Sequence, residues 1–349
     1  MSISSGKDGC AFGDALVTDA SQRTIMNRKF DPCPRVLLAI LILLTAWPLL
    51  AQIDTAKRLT AAFALVKKGN PSTAVVELRA LLDSRSLDAL GSGKAWNILG
   101  LAYEDLGEFA LSQHAYEESL RILEGLPDNI QDYAMALNDF GGLYLATGQL
   151  EVAEKLRTKA LGLYEKVEDH GGIARSSGDL AGIAFSQKKV ARGSKYVERA
   201  VKEARLANDL DDDDRIAIAS LQGWKAQLDG DFAMSAVRYR QALDLSRRFH
   251  GEEHPFTGWD YLLLGMAHAE AGQLTTALEE MRHGVAVLDR TINHENPRYL
   301  VAEIAYSSVL DATGSHAEAA RIKATAESLL KDANRKQCAG CTISVAALR

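Results

Sequence analysis

The segment Trp96–Tyr103 reads WNILGLAY and decides the fold of this 349-residue chain. Its Trp, Leu, Gly and Tyr stand at offsets 0, 3, 4 and 7, a spacing that places side chains on one face of an α-helix. We expect Gly100 to be small because a partner helix crosses this face. Gly107, seven residues further on, predicts a turn between the two helices.

The same two small residues recur along the chain at a nearly fixed step. Gly141, Gly223 and Gly265 repeat Gly100, with steps of 41 residues from the first copy to the second and 42 from the third to the fourth. Each is followed after seven residues by a second glycine. A fixed period of this length indicates helical pairs stacked in an array, whereas the apolar stripes of an ordinary helical bundle would not keep a common period.

The pattern W-x2-L-G-x2-Y resembles the first helix of the tetratricopeptide repeat. The resemblance implies an all-α, right-handed superhelical solenoid of antiparallel helix pairs, with about seven repeats over residues 52–335. The period is longer than the common 34-residue form, and the extra residues fall between repeats. His254-Pro255 and Asn296-Pro297 mark this junction, with prolines 42 residues apart. Long repeats of this kind resemble those of kinesin light chains and their bacterial relatives.

Two junctions carry groups that could bind a metal. His250 and His254 stand four residues apart, but they do not lie in a helical run and form no H-E-x-x-H motif. We interpret them as structural residues of the junction. Residues 209–214 form an acidic run without the spacing of a calcium loop, and we expect a solvated loop before a helix. No metal or cofactor is predicted.

In tetratricopeptide arrays the first helix of each pair lines the concave face, and the resemblance transfers this role to nine positions. Asn97 and Asn138 occupy the same place in successive repeats and resemble the asparagines that hold peptide backbone or carboxylate in family members. One lysine and one arginine are the candidate cations, and two tryptophans are candidate anchors. Alternatively, each of these side chains caps a helix, packs in the core or faces water. The predicted groove residues are Lys94, Asn97, Leu101, Met135, Asn138, Arg175, Trp224, Gln227 and Trp259.

The N-terminal region predicts a targeting segment. Val36–Ala51 is an apolar run of 16 residues, short for a membrane span of about 20, and basic residues precede it. This pattern is typical of a secretory signal peptide over residues 26–51, with cleavage before Gln52. Residues 1–25 are polar and unpatterned, so we interpret Met26 as the start of translation, with a long genuine leader as the alternative. We expect a periplasmic or extracellular protein, or one anchored in a membrane by the uncleaved segment.

Charge and cysteines narrow the partners and the compartment. Without residues 1–51 the chain has 35 basic and 42 acidic side chains, a net charge of −7, which argues against a nucleic-acid partner. Cys338 and Cys341 form CAGC in a tail at 336–349. A zinc site would need further ligands and a redox motif a thioredoxin-like unit, so we favour a local disulfide, with free thiols as the alternative.

These features predict an exported scaffold that binds a protein or peptide through its concave face. The alternative is an architectural subunit of a cell-envelope or secretion assembly that packs laterally. Groove aromatics would favour the first function, and convex or terminal apolar patches the second. An enzyme is a third hypothesis without support, since the sequence has no G-x-S-x-G, P-loop or dinucleotide-binding motif. We expect contact with a membrane only through an uncleaved signal segment.

Overall fold

The computed structural model describes residues 55–208 and 210–337, with side chains described up to residue 332. This part of the chain contains fourteen helices and no strand. The helices are α1 (55–67), α2 (Pro71–Asp83), α3 (Ala89–Asp105), α4 (Phe109–Leu123), α5 (Ile130–Ala146), α6 (Leu150–Lys166), α7 (His170–Ser186), α8 (Val190–Leu206), α9 (Asp212–Leu228), α10 (Phe232–Phe249), α11 (Pro255–Glu270), α12 (Leu274–Thr291), α13 (Pro297–Ala312) and α14 (His316–Gln337).

The helices form seven antiparallel pairs, from α1 with α2 to α13 with α14, and each pair packs on the next. Among α2 to α14, extensive packing joins only helices of the same pair or of adjacent pairs. The predicted all-α superhelical solenoid is therefore confirmed. In such an array most of the stability comes from within each pair and from the interface with its neighbours.

Each first helix contains a small residue that lets the second helix pack closely. A Cβ atom at Gly100 would lie 2.7 Å from the ring of Tyr116, and one at Gly141 would lie 2.8 Å from Cγ of Arg157. Both distances are shorter than a van der Waals contact, so glycine alone fits without a shift of its neighbour. Gly141 and Gly265 are thus confirmed as close-contact positions. The contacts join residues sixteen apart in four pairs: Gly100 with Tyr116, Gly141 with Arg157, Gly223 with Tyr239, and Gly265 with Met281.

The turn inside each pair requires a left-handed backbone seven residues after the small residue. Glycine supplies this conformation in six pairs, from Gly69 with φ of 72° to Gly314 with φ of 90°. The fourth pair has Lys188 with φ of 59° instead. A residue with a Cβ atom costs roughly 1–2 kcal/mol in this conformation, so the fourth turn is strained where the others are not.

The buried side chains form several clusters, each shared by neighbouring helices. The largest joins α11 to α14 and includes Leu262, Met281, Leu300 and Leu310. The cluster at the other end joins α1 to α4 around Leu78 and Leu99, among others. Each pair buries its apolar side chains mainly against its neighbours. The remaining side chains of the first helices, which we call the first-helix layer, can therefore be polar or charged.

Candidate functional site

A ladder of hydrogen bonds joins the first helices of pairs two to four. The Asn97 Nδ2 donates to Asp139 Oδ2 at 2.7 Å, and the Asn138 Nδ2 donates to Asp179 Oδ2 at 2.8 Å. Asn138 Oδ1 also accepts from Ser176 Oγ at 3.0 Å. Both asparagines are buried. The structure therefore gives these two predicted groove residues internal partners, and a role in holding a peptide stays a prediction.

Arg157 is a buried arginine where the second, fifth and sixth pairs have tyrosine or methionine. Its side chain passes Gly141 and reaches Gly142, where a Cβ atom would lie 3.3 Å from Nη2. Arg157 Nη1 forms an ion pair with Asp179 Oδ1 at 2.8 Å, and among the described residues Nε has no hydrogen-bond partner. A residue of the second helix α6 thus places its charge among the first helices. Arg157 is not among the residues predicted from the sequence, although an arginine sixteen residues after the first glycine of Gly141-Gly142 is a signal that could have found it.

Two arginines of the first helices are also paired with carboxylates. Arg175 binds both oxygens of Asp214, with Nε 2.9 Å from Oδ1 and Nη2 2.9 Å from Oδ2. Arg298, from α13, lies 3.1 Å from Glu104 Oε1 and 3.0 Å from Asp105 Oδ1. The predicted cation Arg175 is therefore already neutralised by a carboxylate of the next pair.

Burial sets the protonation of the carboxylates in this layer. Desolvation raises the pKa of Glu104 to about 7, against the opposing effect of the Arg298 guanidinium. Desolvation also raises the pKa of Asp139, and the hydrogen bond from Asn97 opposes this shift. Asp139 has an amide rather than a cation at hydrogen-bond distance. The first-helix layer is thus rich in carboxylates whose negative charge is only partly compensated.

Two further polar groove candidates have internal partners. Lys94 Nζ lies 3.0 Å from Asp132 Oδ1, so this ion pair links α3 to α5. Gln227 Oε1 accepts a hydrogen bond from the Tyr239 hydroxyl at 3.2 Å. Both interactions stabilise the repeat array. A role of Lys94 and Gln227 in binding a partner stays a prediction.

The apolar groove candidates fall into two groups. Trp224 is half-buried and packs against Phe185, with ring centroids 5.3 Å apart, and Leu101 packs between two apolar clusters. Met135 is 38% exposed. Trp259 is half-buried beside the cluster of the last two pairs. Trp224 and Leu101 therefore serve mainly the packing of the repeats.

The two ends of the array meet at a contact that we call the seam. It joins the turns of pairs one and two, residues 67–70 and 104–107, to the starts of α11 and α13. His254 Nε2 lies 3.1 Å from the carbonyl oxygen of Lys67, to which it donates in the neutral tautomer that the α11 cap requires. Asn296 Nδ2 donates to the carbonyl oxygen of Asp105 at 3.0 Å.

Ion pairs add to the seam next to the first of these contacts. Lys67 Nζ lies 2.7 Å from Asp211 Oδ1 and also binds Asp213. His250 Nε2 lies 2.7 Å from Asp213 Oδ1, and the His250 ring stacks on His254 with centroids 4.5 Å apart. Within residues 55–208 and 210–337 no group of three His, Cys, Asp or Glu side chains is arranged to hold a metal ion. The junction histidines belong to the seam.

The seam corrects the prediction of a solvated acidic loop. Of that run, Asp211 caps α9 by accepting from the backbone N–H of Asp213 at 3.0 Å. Asp213 and Asp214 lie in the first turn of α9 and bind Lys67 and Arg175. An acidic run in a sequence indicates a helix start, where carboxylates are favourable. The prediction was wrong because the run does not indicate which cations of distant repeats form ion pairs with these carboxylates.

A cavity of about 740 Å³, which we call the seam cavity, lies between the two sides of the seam. From pairs two and three it is lined by Phe109, Leu145 and Arg157, and from pairs six and seven by Trp259 and Val301. Among the nine predicted groove residues, Trp259 alone lines it. Apolar walls with a few charged groups, at this volume, are the usual composition of a ligand site.

Several predictions concern residues outside the described part of the chain. The signal segment 26–51, residues 1–25, and the cysteines Cys338 and Cys341 all lie there. In the described part, none of the helices is both long and apolar enough to cross a membrane.

Comparison with known proteins supports the repeat assignment. The tetratricopeptide repeat family matches residues 91–166 and 226–290. No curated protein matches the chain in sequence.

Solved structures share the fold at low sequence identity. The apo form of RapI is 10% identical, covering 80% of this chain and 99% of that chain, with a TM-score of 0.56. A Rap protein complexed with Competence and Sporulation Factor is 15% identical, covering 81% and 91%, with a TM-score of 0.51. A putative kinesin light chain of Podosopora anserina with nearly identical TPR-like repeats is 18% identical, covering 58% and 96%, with a TM-score of 0.43. Residues 91–166 and 226–290 are therefore tetratricopeptide repeats, and the described part of the chain shares the fold of the two Rap structures.

Proposed function

We propose that this repeat protein, an interaction scaffold, binds a segment of a protein partner on its concave face, in the seam cavity. The observation that carries the proposal is the lining of that cavity. Phe109, Leu145, Trp259 and Val301 give it apolar walls. Five charged side chains also line it: Glu104, Asp105, Glu108, Arg157 and Arg298. A half-buried tryptophan in a pocket is a common anchor for a partner.

Proteins of the same fold support this class of function. One Rap structure contains Competence and Sporulation Factor, and the Cut9–Hcn1 structure contains a bound partner protein. The Cut9–Hcn1 likeness has a TM-score of 0.56 at 15% identity, and covers 78% of this chain and 48% of that chain. These partners are those of the Rap and Cut9 proteins. For this chain, the shared fold supports only the expectation of a protein or peptide partner.

The proposal is tested by selecting peptides from a display library against the purified chain and measuring their affinity by calorimetry. Trp259→Ala should weaken the selected peptide by about 2 kcal/mol or more, as loss of a central anchor does. Trp224→Ala is the matched control, because Trp224 is also half-buried but does not line the cavity. Equal losses in the two variants, or no loss in either, would contradict the assignment of the site.

We also propose that the scaffold acts outside the cytoplasm. The support is the apolar run Val36–Ala51 behind a basic leader, followed by a small residue before Gln52. N-terminal sequencing of protein from fractionated cells should find Gln52 first in the periplasmic or secreted fraction. An intact leader in the membrane fraction would support the anchored alternative, and recovery from the cytosol would contradict both.

The architectural alternative has one observation in its favour. Leu111, Val152 and Met234 each stand third in a second helix and are 46%, 37% and 42% exposed. Arg192 holds the same position in the pair between the last two, so a charge interrupts the row. Replacing the three apolar residues with serine should leave peptide affinity unchanged. Loss of assembly in envelope extracts instead would favour lateral packing.

A further inference from the structure

The seam is unusual for a repeat array because it joins parts of the chain far apart in sequence. The His254 to Lys67 contact spans 187 residues, and the Asn296 to Asp105 contact spans 191. A repeat in a solenoid normally contacts only its neighbours. A contact between distant pairs fixes the pitch of the superhelix, which neighbour contacts leave free to flex.

The seam is built twice with the same geometry. A Cβ atom at Gly69 would lie 3.3 Å from Cδ of Pro255, and one at Gly107 would lie 3.4 Å from Cδ of Pro297. In both places a turn glycine of an early pair meets the first proline of a late first helix. The residue before each proline caps its own helix and also bonds the C-terminal end of an early first helix, α1 or α3. The repetition shows that the residue pattern specifies the contact.

The chemistry of the seam differs from that inside the pairs. Its further contacts are ion pairs, of Lys67 with Asp211 and Asp213, and of Arg298 with Glu104. The side chains of Lys67 and Arg298 are 28% and 41% exposed. Asp211 and Asp213 are 38% and 29% exposed, and salt screens such partly exposed ion pairs, whereas Glu104 is only 10% exposed and its pair with Arg298 is screened less. The seam therefore depends on ionic strength chiefly through Lys67, whereas the apolar packing of the pairs does not.

The seam cavity has walls on both sides of this contact. Gly69, Phe109 and Leu145 line it from the early pairs, and Trp259 and Val301 line it from the late pairs. Opening the seam would separate these walls and widen the entrance. A ligand that touches both walls would hold them together.

We propose that the seam is a reversible clasp, which opens to admit the partner segment and closes around it. Occupancy of the cavity and closure of the seam then stabilise each other, since the ligand binds the closed form more tightly. The part of this proposal that concerns the ligand rests on the proposed function. The opening itself does not, and it can be measured on the free protein.

The experiment is small-angle scattering of the full chain, extrapolated to zero concentration. The variant Lys67→Ala/Arg298→Ala should show a larger radius of gyration and maximum dimension than the wild type at low salt. The control Lys225→Ala/Arg240→Ala removes the same charge from the pairs with Asp229 and Glu280, which lie within or between neighbouring repeats. It should scatter like the wild type. Equal dimensions in both variants and the wild type would overturn the clasp.

A salt series on the wild type gives a second measurement that needs no variant. Raising the salt concentration should expand the wild type towards the dimensions of the seam variant while the helical circular dichroism stays constant. Constant dimensions at all salt concentrations would overturn the proposal, even if the seam variant fails to fold.

Measurements with a bound peptide distinguish the clasp from the proposed binding function. A peptide selected against the chain should contract it in scattering and bind the seam variant about 5- to 100-fold more weakly than the control, the usual size of such coupling. A peptide that binds both variants equally would overturn the coupling and leave the binding function standing. Failure to select any peptide would count against the binding function, while the salt series would still decide the clasp.

Discussion

Pairs two to four and pairs five to seven share one backbone plan but differ in how they fill the first-helix layer. Three residues before the small position, the early pairs have Asn97 and Asn138, which donate to aspartates of the next pair. The fourth pair has Gly178 there, and Leu221 of the fifth pair fills the gap, 3.1 Å from where a Cβ would lie. The sixth pair has Leu262, which is fully buried.

This difference separates what the repeat requires from what it tolerates. Both halves of the molecule have the small residue of the first helix, its contact sixteen residues later and the left-handed turn. These three features therefore suffice to form the helical pair. The side chains of the first-helix layer can then be polar or apolar. A polar layer must satisfy each buried group, so the early half should respond to charge substitutions and to salt in ways that the late half does not.

The largest effect is expected from breaking the Arg157–Asp179 pair of the early half. Arg157→Met installs the residue that the sixth pair has at this position, but leaves Asp179 without its cation. We expect a loss of roughly 2–4 kcal/mol in the free energy of unfolding, below the cost for a fully buried pair because Asp179 is 28% exposed. Urea denaturation measures it.

The double variant Arg157→Met/Asp179→Asn is the control, since it removes both charges. It should recover at least half of the loss. Met281→Ala at the same position of the late half should cost about 2–5 kcal/mol with little dependence on salt. If the double variant is no more stable than Arg157→Met, the ladder is not held by this charge pair.

A large side chain at the small position of the first helix should destabilise both halves, and its cost can be compared between them. Gly141→Leu should destabilise by roughly 1–3 kcal/mol, because its side chain meets the aliphatic part of Arg157. Gly265→Leu should lie at the upper end of this range, since a Cβ there would lie 3.0 Å from the backbone carbonyl of Ala277 and also meet Met281. Equal midpoints for both variants and the wild type in a denaturant titration would show that the helix register is wrong.

Protonation offers a third test. Burial raises the pKa of Glu104 in the early half and of Asp260 in the late half, each to about 7. From its ordinary pKa, 4.5 for Glu104 and 3.8 for Asp260, up to about 7, the unfolded chain releases each proton while the folded chain keeps it, so each group lowers stability as pH rises. Glu104→Gln and Asp260→Asn should therefore gain about 1–2 kcal/mol over the wild type at pH 8 and nothing at about pH 3.

The two variants should differ in their response to salt. Glu104 pairs with Arg298, whereas Asp260 accepts a hydrogen bond from Ser246. The gain from Glu104→Gln should increase with salt, because screening weakens the ion pair that offsets the burial of Glu104 in the wild type. A gain that is independent of pH in both variants, measured by thermal unfolding, would contradict the raised pKa values.

The smallest effect concerns the turn of the fourth pair, where the two halves meet. Lys188→Gly should stabilise by about 0.5–1 kcal/mol, because glycine removes the strain of the left-handed backbone and this gain exceeds the added freedom of the unfolded chain. Gly148→Lys in the third pair should do the opposite. A lower melting temperature for Lys188→Gly in scanning calorimetry would show that the lysine side chain stabilises this turn.

The sequence predicts the helical pairs well because their determinants are local. Gly141 and Gly265 mark the close contacts, and the residue seven positions later marks the turn even where it is Lys188. The ladder is only half visible, since Asn97 and Asn138 recur in register but their aspartate partners were not recognised. Hydrogen-bonded asparagines and peptide-binding asparagines have the same sequence pattern.

The seam is not predictable in this way. The contact of His254 with Lys67 depends on the superhelical pitch, which accumulates small rotations over several pairs. The proline junctions could be recognised as repeated elements, but not as partners of Gly69 and Gly107. The acidic run was misinterpreted for the same reason, because Asp213 meets its cation only after the superhelix has completed its turn.

Photo-cross-linking can locate the partner segment that we propose to bind in the seam cavity. A selected peptide carrying a photoreactive residue would be bound to the full chain, irradiated and mapped by mass spectrometry. We expect cross-links to the cavity wall around Trp259, Phe256 and Leu145, which disappear in Trp259→Ala. Cross-links on the outer helices around Leu111 and Val152, with none in the cavity, would contradict it.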